Sequence, residues 1–288
     1  MGTSWSAQIV APPDGCAAAI ETVLARIIDQ MSNWEADSAI SRFNRAPIGE
    51  WMPLPADMMT VLRAGLDMAR LSNGAFDPAI GRLVDQWGFG PGIPGQPAYA
   101  IPAPWTRIEV DRHHARRLAD ITLDFSGIAK GFAVDAVAQE LRDLGVANFL
   151  VEIGGELRGD GIKPDGQPWW VDVEAPPGLA IPTLRVALSD CAIATSGDYR
   201  RFRMQDDARL SHSIDPATGA PIAPGVASVT VLHNSAMLAD AWATAITILG
   251  PDRGMALATR SGLAARLVLR RDAGPMEYMT PALTAMLE

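Results

Sequence analysis

Three segments of this 288-residue chain bring together residue types that do chemistry. The densest is Leu123-Asp-Phe-Ser-Gly-Ile-Ala-Lys-Gly-Phe-Ala-Val-Asp135. A strand ending in Asp124, a turn of small residues and a helix opening near Lys130 would aim free backbone N–H groups at an anion such as a phosphate. Gly127 in that turn would let a ligand approach the main chain closely. A lysine in the first turn of a helix opposes the helix dipole unless an anion stands beside it. Lysine is also scarce, since Lys130 and Lys163 are the only two against a background of arginine. That bias marks Lys130 as a residue used for its ammonium group. On spacing alone, a plain strand–turn–helix with a solvated lysine fits equally well.

The second segment is Ala239-Asp-Ala-Trp-Ala-Thr244, inside an apolar stretch. Asp240 and Thr244 are i and i+4 and share one helical face. A carboxylate and a hydroxyl there are hard oxygen ligands of the kind Mg²⁺ takes, with waters and substrate phosphates in its other positions. Read alone, Asp240 could equally lie toward solvent, with Thr244 bonded back to a carbonyl. The third segment joins Thr195-Ser-Gly-Asp-Tyr-Arg-Arg-Phe202 to Leu210-Ser-His-Ser-Ile-Asp-Pro-Ala-Thr-Gly219. His212 stands beside an Asp-Pro turn, where it could serve a hydroxyl nucleophile as general base. A lone histidine can also be purely structural.

The elements that must position these groups are legible from periodicity. Ile20, Val23, Leu24, Ile27, Ile28 and Met31 predict a helix over 16–32, and Met58, Val61, Leu62, Leu66 and Ala69 predict another over 55–72. The Gly- and Pro-rich stretch 88–106 predicts a loop or a junction between lobes. Strands are expected at 107–110, 118–124, 148–153, 169–174, 183–188, 191–195, 226–232 and 264–270. Helices are expected at 128–144, at 235–249 capped by Asn234-Ser235, at 252–260 and at the C-terminus. The fold class is α+β (mixed α/β), and the length allows one large domain over 1–288 or two intimately joined ones. Phe76-Asp-Pro-Ala-Ile-Gly81 echoes Ile214-Asp-Pro-Ala-Thr-Gly219, a match short enough to arise by chance.

Composition narrows the classes further. The chain is 48% hydrophobic and 20% charged, so it folds around a sizeable core rather than remaining disordered. A net charge of −9 argues against a nucleic-acid surface. No apolar run is long enough for a transmembrane segment. Cys16 and Cys191 form no CxxC pair, and His113, His114, His212 and His233 form no HExxH, which disfavours zinc sites. No GxxxxGK[ST] or GxGxxG nucleotide loop is present. The N-terminus carries no secretory signal, so the chain as it stands reads as cytoplasmic, or as periplasmic or membrane-anchored if a leader has been removed.

Taken in order, six segments resemble the signatures of the FAD:protein FMN transferase family, the ApbE-type flavin transferases. They are Met1-Gly-Thr-Ser-Trp5, Met31-Ser-Asn-Trp-Glu-Ala-Asp-Ser-Ala-Ile-Ser-Arg-Phe-Asn44, Gly74-Ala-Phe-Asp-Pro78 with Leu83-Val-Asp-Gln-Trp-Gly-Phe-Gly90, and the DFSGIAKG, SHSIDPATG and ADAWAT segments. The resemblance covers nearly the whole chain. It implies two closely associated lobes of mixed sheets and helices around a flavin cleft. It also implies FAD contacts at Met1, Trp34, Ala75, Phe76, Asp77, Asp124, Lys130 and Ile214, and Mg²⁺ ligands at Gly127 (through its carbonyl), Asp240 and Thr244. Mn²⁺ would suit the same oxygen set. Trp34 replaces the family's frequent Tyr, Ala79 a frequent Thr and Arg82 a frequent Pro, and Ala243 stands where some members carry a second carboxylate.

The implied reaction moves the FMN half of FAD onto a Ser or Thr hydroxyl of an acceptor flavoprotein and releases AMP. Within it His212 would accept the hydroxyl proton and Asp240 would serve catalysis through the metal. Two other readings share the site: an FAD pyrophosphatase, with water in place of the acceptor, and a flavin carrier without chemistry.

Overall fold

The computed structural model describes residues 2–95, 104–205 and 208–287. The first elements are β1 (Trp5–Ile9), α1 (Cys16–Met31), α2 (Ala39–Arg45), β2 (Met52–Pro53), α3 (Ala56–Leu71) and α4 (Gly81–Gln86). A 3-10 turn at Pro104–Arg107 leads to β3 (Ile108–Val110), β4 (His114–Arg117), α5 (Ala129–Asp143), β5 (Phe149–Ile153) and β6 (Glu156–Asp160). Next are β7 (Trp169–Val173), β8 (Leu184–Leu188), β9 (Cys191–Gly197), β10 (Phe202–Gln205), β11 (Ala208–Ser211), β12 (Ile214–Asp215) and β13 (Ala220–Pro221). Last are β14 (Val226–His233), α6 (Ala236–Arg260), β15 (Ala264–Leu269), β16 (Met276–Met279) and α7 (Pro281–Leu287).

A seven-stranded sheet in the order β1-β5-β6-β9-β14-β15-β16 forms the frame, and each neighbouring pair is antiparallel. The architecture is α+β, as the apolar patterning implies. Alternation along β5 assigns the two faces. Phe149, Val151 and Ile153 enter the larger core beneath α1, α5 and α6, whereas Leu150 joins a smaller core with Trp169, Leu188 and Leu283. The sheet is thus covered on both sides, which explains why seven of the eight residues of β14 are buried. A fully buried side chain such as Phe149 contributes about 1.5–3 kcal/mol.

The helices follow their sequence signals. In α1 the predicted Ile20, Val23, Leu24, Ile27 and Met31 are buried, while Ile28 at the edge of the stripe is half-buried. In α3 Asp57 stands in the first turn and Arg70 in the last, the favourable signs for the helix dipole. Ser235 caps α6 by accepting from the Leu238 N–H. The two helices expected at 235–249 and 252–260 run together as α6, broken at Gly250 (φ 73°) before Pro251. No helix among the described residues is long and apolar enough to cross a membrane.

One expected strand is absent. Segment 118–124 is a loop whose polar groups go to several elements instead of one partner strand. The Leu118 N–H donates to Arg107, Thr122 accepts from Gly81, and the Asp124 N–H donates to Pro78. The Leu123 N–H donates to the Asn44 side chain, whose amide donates to the Leu123 carbonyl in return. Side-chain amides remote in sequence satisfy this backbone, so apolar alternation alone misreads it. The echo between residues 76–81 and 214–219 is one of local geometry. Asp77 accepts from the Ala79 N–H at 2.8 Å and Asp215 from the Ala217 N–H at 2.9 Å, the same aspartate turn twice.

Candidate active site

The N-terminal turn of α5, the second turn of α6 and the β5–β6 turn converge on a cavity of about 410 Å³, within the usual range for small-molecule sites. Lys130 reaches between α6 and β6. Its Nζ lies 3.1 Å from Glu156 Oε1 and 3.6 Å from Asp240 Oδ1. The carboxylates that offset the lysine's conflict with the helix dipole are therefore the protein's own. Gly154 makes room for this reach: it has φ +64°, and a Cβ there would stand 3.2 Å from Lys130 Cδ.

Asp240 is 2% exposed and turned inward. Its Oδ2 accepts from the Gly131 N–H at 3.1 Å, tying α6 to the first turn of α5. Burial raises the Asp240 carboxyl above its ordinary value, opposed by Lys130 and the Gly131 N–H. Burial would lower the Lys130 ammonium, but the charges of Asp240 and Glu156 outweigh it and hold it above its ordinary value. Burial also raises Glu156, opposed by Lys130 and reinforced by the charge of Asp240; its own backbone N–H faces the carboxylate too. Glu156 is 2% exposed, and its Oε2 has no hydrogen-bond partner among the described residues.

One turn along α6 from Asp240, the Thr244 Oγ1 stands 3.3 Å from the Ser196 Oγ of β9. Gly127 packs directly against Thr244, and a Cβ there would fall 2.8 Å from Oγ1, so the close approach requires glycine. Asp124 accepts from the Ser126 N–H at 2.7 Å and from the Asn33 amide at 3.4 Å. Asp77 accepts from the Ala79 and Trp105 N–H groups, yet burial pushes its carboxyl up to about 7.

His212 also lines the cavity, its ring edge-on to Phe89 at 6.3 Å. Its Nδ1 is 2.9 Å from the Arg201 carbonyl. In the neutral ring that contact makes Nδ1 the N–H donor and leaves Nε2, without a partner among the described residues, as the acceptor. Burial, aided by the charge of Arg201, lowers its pKa to about 4, so the ring is neutral at physiological pH.

The cavity wall gathers Phe76, Asp77, Asp124, Gly127, Lys130, His212, Ile214, Asp240 and Thr244, all singled out from the sequence. Two other such residues are not in the wall. Ala75 is buried next to Phe76, and Trp34 is 64% exposed, one residue from the Asn33 that holds Asp124. Met1 lies outside the described residues. Glu156 escaped the sequence reading, and Ser196, though inside the third segment, was given no role there. The alternation of charge along Glu156-Leu-Arg-Gly-Asp160 resembles a solvated strand face, yet Glu156, Arg158 and Asp160 are all buried.

The donor set fits a hard cation. Asp240, Thr244, Gly127 and Ser196 line the same cavity, Gly127 and Ser196 both against Thr244, and their carboxylate, hydroxyl and carbonyl oxygens are of the type Mg²⁺ prefers. Among the described residues no group of three or more His, Cys, Asp and Glu gathers to hold a metal, so any cation here would complete its shell with water and ligand oxygens.

The model of the ApbE family matches residues 1–267. The chain is 36% identical over 304 residues to the FAD:protein FMN transferase of Vibrio cholerae, covering all of this chain and 90% of that one. It is 33% identical over 310 residues to the enzyme of the same name from Haemophilus influenzae, again over 100% and 90% of the two chains. Among solved structures, the flavinyl transferase ApbE of Pseudomonas stutzeri in its apo form superposes with a TM-score of 0.87 at 33% identity, over 99% of this chain and 96% of that one. The flavin transferase ApbE of Vibrio cholerae gives 0.88 at 34% identity with the same coverage. A family match over most of the length, together with relatives at this identity and a shared fold, establishes that the chain belongs to the ApbE family.

Proposed function

We propose that this protein transfers the FMN half of FAD onto a Ser or Thr hydroxyl of an acceptor flavoprotein and releases AMP. The observation that carries the reading is the convergence on one cavity of oxygen-bearing residues (Gly127, Asp240, Thr244), a half-buried ammonium (Lys130) and a neutral histidine whose Nε2 has no partner among the described residues (His212). Phosphoryl transfer asks for little else: positioning, neutralisation of charge and a place for one proton.

In this reading the acceptor oxygen forms a bond to the FMN-side phosphorus and the bond from that phosphorus to the bridging oxygen breaks. The bridging oxygen leaves with AMP. His212 Nε2 takes the hydroxyl proton while Nδ1–H stays on the Arg201 carbonyl, which fixes the ring. Lys130 supplies positive potential toward the phosphates. Asp240, Thr244 and Gly127 would hold Mg²⁺, or Mn²⁺ in its place, which when bound neutralises charge on the pyrophosphate. Asp77 and Asp124 present carboxylates, and Phe76, Ile80, Val84, Phe89 and Ile214 form an apolar wall suited to an aromatic ring.

The test is nucleotide analysis of the protein mixed with FAD and Mg²⁺, with and without an acceptor flavoprotein carrying a Ser or Thr site. AMP appearing only with acceptor, together with covalent flavin on that acceptor, is the expected result. AMP with free FMN in the absence of acceptor would make the protein a pyrophosphatase. No AMP in either arm would reduce it to a flavin binder.

A further inference from the structure

Glu156 shares Lys130 with Asp240, but the two carboxylates are partnered differently. Both Asp240 oxygens are engaged, Oδ1 with Lys130 and Oδ2 with the Gly131 N–H. Glu156 uses only Oε1, on Lys130. Its Oε2 is buried and has no partner among the described residues, and Glu156 is one of the residues that line the cavity. The turn beside it offers no spare donor: the Gly155 N–H is bound to Glu152 and the Gly154 N–H to Ser4. A carboxylate oxygen and a phosphate oxygen are both acceptors, so a phosphate oxygen is not the partner Oε2 lacks. The Lys130 ammonium 3.1 Å from Oε1 opposes the effect of burial and favours the ionised carboxylate, which only accepts and needs a donor.

We infer that Glu156 is a substrate-contacting residue that accepts a hydrogen bond from a sugar-type hydroxyl flanking the pyrophosphate of FAD while steering Lys130 through its other oxygen. The inference rests on the reading of the cavity as an FAD site. In FAD the N–H donors belong to the two ring systems, at the far ends. The groups beside the pyrophosphate are the ribityl hydroxyls on one side and the ribose hydroxyls on the other. Asp240 and Lys130 place the pyrophosphate next to Glu156, so a hydroxyl from one of these two sources reaches Oε2. Glu156→Gln keeps an acceptor toward Lys130 and turns the unpartnered oxygen into an NH₂ donor, reversing its preference.

The experiment measures affinity of the wild type and Glu156→Gln for FAD, FMN and ADP in the presence of Mg²⁺. It repeats FMN with a phosphorylated flavin whose side chain lacks the inner hydroxyls, and ADP with 2′,3′-dideoxy-ADP. The expected result is about tenfold or more weaker FAD binding in the variant. That loss should be shared by FMN if the ribityl chain is the donor, or by ADP if the ribose is. It should vanish for the matching dehydroxylated ligand, which itself binds the wild type correspondingly less tightly. Equal affinities in variant and wild type would overturn the inference, leaving a water on Oε2. So would a loss that persists without the hydroxyls, because the effect would then run through Lys130 alone. If the variant does not fold, the ligand pairs on the wild type decide: no penalty for either missing set of hydroxyls overturns it. Should the wild type bind FAD and transfer FMN while these tests fail, the proposed function stands without this contact. Should the wild type bind no FAD, that reading falls first.

Discussion

At the scale of the residue, protonation states decide what each group can do. His212 is neutral well below pH 6 because burial and Arg201 disfavour its charged form. Transfer is therefore expected to show no inflection near the ordinary histidine value, and any acid limb due to His212 should lie near pH 4. His212→Asn should lower turnover by about 10²–10⁴-fold with little change in FAD affinity, measured by single-turnover AMP release. Asp240→Ala removes the carboxylate of the proposed Mg²⁺ ligand set. It should cost about 10²-fold or more in turnover and abolish any thermal stabilisation by Mg²⁺, while FAD still quenches protein fluorescence. Asp77 makes a pH prediction of the opposite kind. Its carboxyl stands at about 7 in the fold against an ordinary value of 3.8, so the folded state holds a proton that the unfolded chain releases. The contribution of Asp77 is fully present below about pH 4 and is lost as pH rises through 7. Denaturant unfolding across that window should show stability falling with pH, and Asp77→Asn should flatten the slope.

At the scale of the element, the site depends on how α5 crosses α6. Gly131 is the point of closest approach, where an added Cβ would fall 2.1 Å from the Ala236 carbonyl oxygen and 2.8 Å from Met237 Cα. Those atoms are backbone and cannot swing aside, so Gly131→Ala should cost about 3 kcal/mol or more, read as a lower denaturant midpoint at unchanged slope. One turn further, Asp135 of α5 accepts from the Ser235 hydroxyl and the Ala236 and Met237 N–H groups. It thereby caps the helix that carries Asp240 and Thr244. Arg158 of β6 locks this cap by contacting Asp135, Asp160 and the Asn234 carbonyl. Asp135→Ala should lose about 1–2 kcal/mol of stability.

At the scale of the whole molecule, the larger core runs from Cys16 to Leu269 and includes residues on both sides of the 88–106 segment. We propose that residues 1–288 behave as one domain, so calorimetry should show a single transition with equal calorimetric and van't Hoff enthalpies. Much of this was legible in the amino-acid order because it is short-range. The buried stripes of α1 and α3 and the cap at Ser235 follow from 3.6-residue periodicity and local hydrogen bonding, and the faces of β5 follow from a period of two. The DFSGIAKG and ADAWAT segments also announced themselves, since a lysine against the helix dipole and a carboxylate in an apolar helix each demand a partner. The identity of that partner was not local. Glu156 lies in a strand whose alternating charges look solvated, and only the pairing of β6 between β5 and β9 places it under Lys130. Segment 118–124 has the apolar pattern of a strand but becomes a loop, because Asn44 and Gly81 reach its backbone from elsewhere in the chain. Sequence determined which residues had to be buried and which needed a counter-charge. Tertiary structure decided which groups met, because pairing energies between residues far apart in the chain depend on distances that no local pattern encodes.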